Sequence, residues 1–297
     1  MEASPDVLVI GGGIIGLTAA LELARAGLKV EVCDRGEFGC EASWAGAGII
    51  PPGNPRRAAT PFDQLRGVSS GMFPDLLERI CRSPGPRHVY RHIYRRNGAI
   101  EFLGQEDDAV RTIWQREGIT FEMLDETALR VRWPMLGSFD GTPHWIPGMA
   151  RVDNPLLLQA LIEACREAGI TLTASHSVEL IRLHGSRSTS VIFRNNSERS
   201  IGHILLAAGA WSEPLLKSLG CPLDIHPVRG QIVRYHAADD LLSTTLIAGR
   251  RYLVPRHHGR ILAGSTEEPE AGFNKANTTA GIDSLKAFAA NLLPDLH

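Results

Sequence analysis

The first hydrophobic and polar positions of the chain predict a strand, a helix and a second strand. Val7–Ile10 is an unbroken apolar run, which is typical of a parallel strand covered on both faces. Residues 14–26 carry apolar side chains at helical spacing, and Gly27 ends that pattern as a helix stop. Val30–Cys33 predicts the second strand. The pattern therefore indicates the beginning of a doubly wound α/β fold.

Three glycines between the first strand and the helix have the spacing GxGxxG. Gly11 permits a tight turn, Gly13 lets the backbone approach a pyrophosphate, and Gly16 lets the helix pack close to the sheet. The helix begins with Ile14 and Ile15, so its free N–H groups and the positive end of its dipole face that phosphate. This arrangement predicts a dinucleotide-binding site.

An acidic residue follows the second strand. Asp34 comes about 20 residues after the glycines, where a carboxylate accepts hydrogen bonds from a ribose diol. Arg35 beside it raises the alternative of NADP, but Asp34 would repel a 2′-phosphate. The simplest interpretation of Arg35 is a solvated charge at the strand end, and it remains in the predicted cofactor-binding set.

Two later segments favour FAD over NAD. Residues 41–54, EASWAGAGIIPPGN, are rich in small side chains that let backbone amides approach a flat ring. Residues 203–216, HILLAAGAWSEPLL, form an apolar strand that breaks at a glycine into a new helix, and simple NAD domains generally lack this second turn. The predicted cofactor contacts in these two segments are Ser43, Ala45, Gly46, Ala47, Gly48, Ile49, Ala208, Gly209 and Trp211.

Composition and charge limit the classes of partner that we expect. A formal net charge of −2 gives no electrostatic reason to expect nucleic acid or an anionic membrane. The five cysteines show no CxxC spacing, and the pair His257 and His258 lacks a third ligand, so we expect no metal. No apolar run approaches the roughly 20 residues of a membrane span, and no leader pattern opens the chain. We expect a cytoplasmic protein, and a homo-oligomer is left open.

Taken together and in their order along the chain, several segments resemble the glycine oxidase branch of the D-amino-acid oxidase family, which consists of FAD-dependent amine oxidases. The resemblance covers essentially the whole chain. The segments are VEVCDRG, EASWAGAGII, RVDNPLLLQAL, LLAAGAWS, HPVRGQIVRY and RYLVPRHHGRILAGST.

The resemblance implies FAD as the cofactor and a small amino acid or amine as the substrate. The expected reaction is oxidation of glycine, a small amino acid or a secondary amine by hydride transfer from Cα to flavin N5. Its products are an α-keto acid, ammonia and H₂O₂ from O₂, with a link to thiamine biosynthesis. Three alternatives stay open: a non-catalytic flavin-binding fragment or pseudoenzyme, another D-amino-acid or sarcosine oxidase or dehydrogenase, and an NAD(P)-dependent dehydrogenase.

The resemblance also assigns residues. Tyr252 matches the family's tyrosine that hydrogen-bonds the substrate carboxylate, although a strand tyrosine considered by itself is more often a core or interface residue. Glu267 lies where the family lines the substrate pocket. Val178 lies where the family packs backbone against adenine. At Asp34 the family usually has Glu, and the shorter side chain still reaches a ribose.

Family members continue past residue 297 with a Gly-Leu-Arg-Pro turn, whose arginine clamps the substrate carboxylate. That motif is not found in these residues, so we expect either a fragment or a protein without part of the site. Arg250 shares the face of Tyr252 in strand register and is the internal candidate for the clamp.

The predicted fold class is α/β, with a discontinuous Rossmann-like FAD-binding domain and a second, mostly antiparallel β-sheet substrate domain. Residues 1–84 and 151–222 are assigned to the first domain, and residues 85–150 and 223–270 to the second. Residues 271–297 are expected to contain a last helix, beginning at about residue 274, that returns to the FAD-binding domain.

Overall fold

The computed structural model describes residues 4–81, 92–104, 107–184, 188–239 and 241–296. These residues divide into two compact units. Unit 1 consists of the described residues of Met1–Gly46, Ile80–Pro86 and Asn154–Pro227. Unit 2 consists of those of Ala47–Arg79, Arg87–Asp153 and Val228–His297.

Unit 1 contains a parallel four-stranded sheet. Its strands are β1 (Val7–Ile10), β2 (Val30–Cys33), β9 (Thr171–Thr173) and β13 (His203–Leu206). They lie in the order β13-β1-β2-β9, so β1 has a parallel neighbour on each side. All four residues of β1 are buried, as its apolar pattern predicts, and the four residues of β2 are buried too, Glu31 included.

Helices cover this sheet. The helices of unit 1 are α1 (Ile14–Arg25), α2 (Ala42–Ala45), α6 (Asn154–Glu167) and α7 (Ser212–Ser218). Helix α1 buries its apolar stripe, which includes Leu17 and Leu21, and packs against the buried face of α6. The predicted strand, glycine turn, helix and second strand are therefore confirmed, with α1 ending one residue earlier than predicted.

A second, antiparallel sheet completes unit 1. It consists of β10 (Val178–His184), β11 (Ser188–Phe193) and β12 (Glu198–Ile201), in that order. Its buried residues Ile181 and Val191 join Leu8 and Ile10 of β1 in one apolar cluster. The two sheets of unit 1 thus share a core.

Unit 2 is built on a seven-stranded, mostly antiparallel sheet in the order β14-β17-β16-β15-β5-β7-β6. The pairing of β15 with β5 is parallel. The strands are β5 (Ala99–Leu103), β6 (Glu122–Met123), β7 (Thr142–Ile146), β14 (Ile232–His236), β15 (Thr245–Ala248), β16 (Arg251–Pro255) and β17 (Arg260–Gly264).

A small sheet and four helices complete the described part of unit 2. The sheet consists of β3 (Ile49–Ile50), β8 (Ala150–Val152) and β4 (Tyr94–Arg95), in that order. The helices are α3 (Pro61–Ile80, within unit 2 as far as Arg79), α4 (Asp108–Glu117), α5 (Glu126–Arg132) and α8 (Thr279–Leu292).

The fold class predicted from the sequence is confirmed, but three details differ. Residues 47–79 fall in unit 2 and not in the first domain, because β3 pairs with β8. The last helix packs on the seven-stranded sheet of unit 2, where Ala289 and Leu292 join its core cluster. That helix begins at Thr279, not at residue 274. The predicted boundary at residue 84 lies outside the described residues. No helix among the described residues is long and apolar enough to cross a membrane.

Candidate functional site

The turn after β1 has no room for side chains at its first and third glycines. Gly11 has a φ of +109°, and a Cβ placed there would collide with the carbonyl oxygen of Ala207. A Cβ on Gly16 would overlap the carbonyl oxygen of Gly11, so helix α1 sits directly against the turn. At Gly13 a Cβ would lie 2.9 Å from the hydroxyl of Ser43. The glycines therefore let the turn pack backbone to backbone against helix α1 and the end of β13, and this turn is the candidate cradle for a pyrophosphate.

Asp34 is tied to this cradle by both carboxylate oxygens. Its Oδ2 accepts a hydrogen bond from the Gly12 amide at 2.7 Å, and its Oδ1 accepts one from the Gly36 amide at 2.8 Å. A carboxylate offers about four lone-pair positions, so this one retains acceptor capacity for a ribose diol. The predicted acid thus lies at the glycine turn, in an orientation that the backbone fixes.

Ser43 meets the first turn of helix α1. The helix has no capping side chain of its own, and the Ser43 hydroxyl accepts a hydrogen bond from the Ile14 amide at 3.0 Å. Ile15, the next residue, is 71% exposed although it is apolar. The structure therefore brings three of the predicted cofactor residues together at the positive end of the helix.

Asn154 was not predicted from the sequence, and it fixes the segment around Ser43. Its side-chain amide donates to the carbonyl oxygens of Ser43 at 3.0 Å and Gly46 at 2.9 Å. A Cβ on Gly46 would lie 2.8 Å from that amide, so the close approach depends on glycine there. Ala45 ends α2 between these two anchored carbonyls. The first residue of α6 thus holds the predicted cofactor segment in place.

Arg35 and Trp211 form a pair that the sequence did not indicate. The Arg35 guanidinium carbon lies 4.0 Å from the centroid of the Trp211 ring, and Arg35 also pairs with Glu41 at 3.6 Å. Arg35 is thus not simply a solvated charge at a strand end. Trp211 ends the short 3₁₀ turn that follows β13, so this stack joins the second glycine turn to the end of β2.

The remaining predicted cofactor contacts of unit 1 are Val178, Ala208 and Gly209. Val178 and Ala208 both pack against the apolar cluster around β1. Gly209 has a φ of +54°, and a Cβ there would meet no atom within 4 Å. The space in front of the second turn is therefore open.

Ala47, Gly48 and Ile49, predicted to contact the ring of the cofactor, belong to unit 2. Gly48 has a φ of +66°, a conformation that favours glycine. Its carbonyl oxygen accepts a hydrogen bond from the Val152 amide at 2.7 Å. Ile49 lies opposite Arg151 in the β3–β8 pair. This strand pair therefore holds residues 48–50 in unit 2.

Tyr252 lies on β16 directly opposite Gly264 of β17. A Cβ on Gly264 would lie 2.7 Å from the Tyr252 hydroxyl, so the missing side chain makes room for the phenol. Burial raises the pKa of Tyr252, and a hydrogen bond with Ser265 opposes that rise. The hydroxyl therefore stays protonated near neutral pH and can donate to an anionic group.

Glu267 and Arg250 are paired with each other. Their side chains form an ion pair, and that of Arg250 is 79% exposed. Arg250 precedes β16, which begins at Arg251, so the strand alternation that placed it beside Tyr252 does not extend to it. Arg250, the predicted internal clamp, is thus paired with Glu267, the predicted acid of the substrate pocket.

In unit 2, His92 lies beside the turn that contains His257 and His258. His92 Nδ1 lies 2.9 Å from His257 Nδ1, and the His92 ring is 6.5 Å from that of His258. Within the ranges that the structure describes, no group of three or more His, Cys, Asp or Glu residues has the arrangement to hold a metal ion.

Comparison with known proteins gives the same family for the whole chain. The sequence model of the family described as FAD dependent oxidoreductase matches residues 6–297. The chain is 36% identical over 297 residues to a glycine oxidase of Pseudomonas aeruginosa, covering 99% of this chain and 79% of that protein. It is 34% identical over 294 residues to a glycine oxidase of Pseudomonas putida, with the same coverage.

A solved structure shows the same fold. The crystal structure of glycine oxidase from Geobacillus kaustophilus matches with a TM-score of 0.87 and 29% sequence identity. The match covers 98% of this chain and 78% of that chain.

Proposed function

Because the chain belongs to the family of FAD-dependent oxidoreductases, we propose that it oxidises glycine, or a closely related small amino acid or secondary amine. The observation that carries this proposal is the 36% identity over 297 residues to a protein named glycine oxidase. Water hydrolyses the imine to the α-keto acid and ammonia, or to an amine where the substrate is a secondary amine, and O₂ is the electron acceptor that becomes H₂O₂. The proposal includes the link to thiamine biosynthesis that the sequence resemblance implies.

The residues of unit 1 fit FAD. The glycine turn packs backbone to backbone at Gly11 and Gly16, where any side chain would clash, as a dinucleotide-binding turn requires. The positive end of α1 faces that turn, and Asp34 retains acceptor positions for a ribose. When bound, FAD supplies the two-electron acceptor for oxidation of a C–H bond next to an amine.

Tyr252 is proposed to bind the substrate. Its side chain is partly buried and its hydroxyl is protonated near neutral pH, so it donates a hydrogen bond to the carboxylate of an amino acid. Gly264 leaves space beside the phenol, and Ser265 fixes the hydroxyl direction. The role of the protein is thus to orient the substrate and exclude water, which does not require a nucleophile or a pair of catalytic carboxylates.

A peroxide-coupled assay tests this function. The purified protein, supplied with FAD, is given glycine, sarcosine or D-alanine, and H₂O₂ is measured against the rate without amine. We expect peroxide with at least one of these substrates and the highest kcat/KM with glycine. Absence of peroxide with all three, in a preparation that retains FAD, would contradict the proposed activity.

A further inference from the structure

The proposed function assigns no role to Arg256, yet its side chain is almost completely buried in unit 2. It is 8% exposed and directly follows Pro255, the last residue of β16. Its Nη1 donates to the carbonyl oxygen of Val152 and its Nη2 donates to that of Ala47, each at 2.6 Å. One planar guanidinium therefore bridges two backbone carbonyls from different segments of the chain.

These two carbonyls lie where the pairing of β3 with β8 ends. Ile49 is opposite Arg151, and Ile50 is opposite Ala150. Continued by one residue, this register places Gly48 opposite Val152. In an antiparallel pair of this kind, each residue donates to the carbonyl of the other.

Only one of those two bonds forms. The Val152 amide donates to the Gly48 carbonyl oxygen at 2.7 Å. The reciprocal bond, from the Gly48 amide to the Val152 carbonyl oxygen, is not formed among the described residues. Arg256 Nη1 occupies that oxygen instead. The arginine thus takes the acceptor that the strand pairing would offer to Gly48.

The hydrogen bond from Arg256 to the Ala47 carbonyl oxygen fixes the direction of the Gly48 N–H. The carbonyl of Ala47 and the N–H of Gly48 belong to one planar trans peptide, so they point in opposite directions. Because Arg256 Nη2 holds the Ala47 carbonyl oxygen, the Gly48 N–H points away from Arg256. The φ of +66° at Gly48 permits this orientation without a side-chain clash.

A buried carboxylate keeps the arginine charged. Asp153 is 2% exposed, favours the charged form of Arg256, and lies 3.6 Å from Arg260. Burial lowers the pKa of Arg256, and the neighbouring Arg260 acts in the same direction. Because a guanidinium is not deprotonated in proteins, Arg256 remains a cation at neutral pH. Arg260 shares Asp153 but has no bond to Ala47, which makes it a natural control.

We propose that Arg256 is a positioning residue for the cofactor, because its bridge frees the Gly48 N–H to donate a hydrogen bond to the flavin ring. The inference rests on the proposed function and on the prediction from the sequence that residues 45–49 contact that ring. Arg256 itself touches neither cofactor nor substrate in this scheme. Its effect is to hold an unpaired donor in place before the cofactor binds, which removes the cost of arranging it on binding.

The experiment compares the wild-type protein with Arg256→Lys and Arg260→Lys. Lysine at position 256 keeps the charge beside Asp153 but lacks the planar pair of nitrogens that reaches both carbonyls in the wild type. Three quantities are measured: the exchange rate of the Gly48 amide with and without FAD, the Kd for FAD, and kcat and KM for glycine. Circular dichroism and thermal melting establish that each variant is folded.

In the wild type and in Arg260→Lys, we expect bound FAD to slow exchange of the Gly48 amide by about tenfold or more, as a new hydrogen bond does. In Arg256→Lys this protection is lost, the Kd for FAD rises by about tenfold, and kcat falls more than KM changes. Equal effects in both variants would show that the charge interaction with Asp153, and not the bridge, matters, and would overturn the proposal.

Two further results separate the inference from the function on which it rests. If wild-type protein binds FAD and oxidises glycine without protection of the Gly48 amide, the inference is wrong and the function stands. This measurement needs no variant, so it can overturn the inference even if Arg256→Lys does not fold. If wild-type protein binds no FAD, the proposed function fails and the inference fails with it.

Discussion

The carboxylate of Asp34 accepts a hydrogen bond from the amide of Gly12 at 2.7 Å, which ties the end of β2 to the glycine turn after β1. The same side chain accepts a second bond from the Gly36 amide. One acid therefore shapes the backbone of the cofactor cradle and also provides acceptor positions for the ribose. These two roles lead to separable expectations for its replacement.

Asp34→Ala should weaken FAD binding by about 1–3 kcal/mol, because hydrogen bonds to the ribose are lost and the turn loses a constraint. Asp34→Glu should retain most of the affinity, since it keeps the carboxylate. Titration of flavin-free protein with FAD, followed by fluorescence, measures both. Asp6→Asn is the matched control, because Asp6 accepts a bond from the Lys29 amide at 2.8 Å at the other end of the two strands. Unchanged affinity in Asp34→Ala would remove Asp34 from the site.

Gly16→Ala should destabilise the protein by about 1–3 kcal/mol or more and reduce its FAD content, because the new Cβ would overlap the Gly11 carbonyl oxygen. Gly71→Ala is the contrasting substitution, since Gly71 lies within α3 and a Cβ there meets no atom within 4 Å. It should be neutral or stabilise by about 0.5–1 kcal/mol. Urea unfolding of both variants gives the comparison, and a fully stable Gly16→Ala would refute the packing argument.

Tyr252→Phe should raise KM for glycine by about tenfold to a hundredfold, because a hydrogen bond to a charged carboxylate is worth about 1.5–3 kcal/mol. FAD content should not change. Tyr235→Phe serves as control, since Tyr235 lies on the neighbouring part of the same sheet, in β14, and has no predicted role. Steady-state kinetics with glycine measure the effect. A KM equal to that of the wild type would show that Tyr252 does not bind the substrate.

Glu101→Gln should change the pH dependence of stability. Burial, with Asp107 as a second cause, raises the pKa of Glu101 from 4.5 to about 7. Between these values the native state binds the proton and the unfolded chain does not. The contribution of Glu101 is thus present below about pH 4.5 and is lost as the pH rises through 7.

The shift corresponds to at most about 3 kcal/mol. We therefore expect Glu101→Gln to be more stable than the wild type at pH 8 and similar to it at pH 4.5. Urea unfolding at the two pH values measures the difference. Glu179→Gln, which removes an exposed carboxylate of lowered pKa, should show no gain at pH 8. An equal difference between Glu101→Gln and wild type at both pH values would contradict the assignment.

Local features of the site could be predicted from the sequence because their causes are local. Gly11, Gly13 and Gly16 are required by a turn of six residues, and Asp34 by the end of the next strand. The contacts that fix these features could not be predicted. Asn154 reaches Gly46 across 108 positions, and Arg256 reaches Ala47 across 209. Which arginine or asparagine makes such a contact depends on the folded chain.

The differences in the fold have similar causes. The segment 274–278 has an apolar and polar content compatible with helix, but Arg229 donates to the Ala276 carbonyl oxygen at 2.8 Å. Thr278 then caps the helix by accepting a bond from the Gly281 amide, so the helix begins at Thr279. The sequence pattern assigns residues 47–79 to the first domain, yet they fall in unit 2, where β3 pairs with β8. Both outcomes depend on distant partners.

The central claim, that this protein oxidises glycine with bound FAD, is tested most directly by mixing it with glycine in the absence of O₂. The visible absorption of the FAD-loaded protein is followed in an anaerobic cuvette, with dithionite added at the end as a reference for complete reduction. We predict that glycine bleaches the flavin band at about 450 nm. Admission of O₂ should then restore the band, with formation of H₂O₂. A band that glycine leaves unchanged, in protein whose FAD dithionite then reduces fully, would contradict the account.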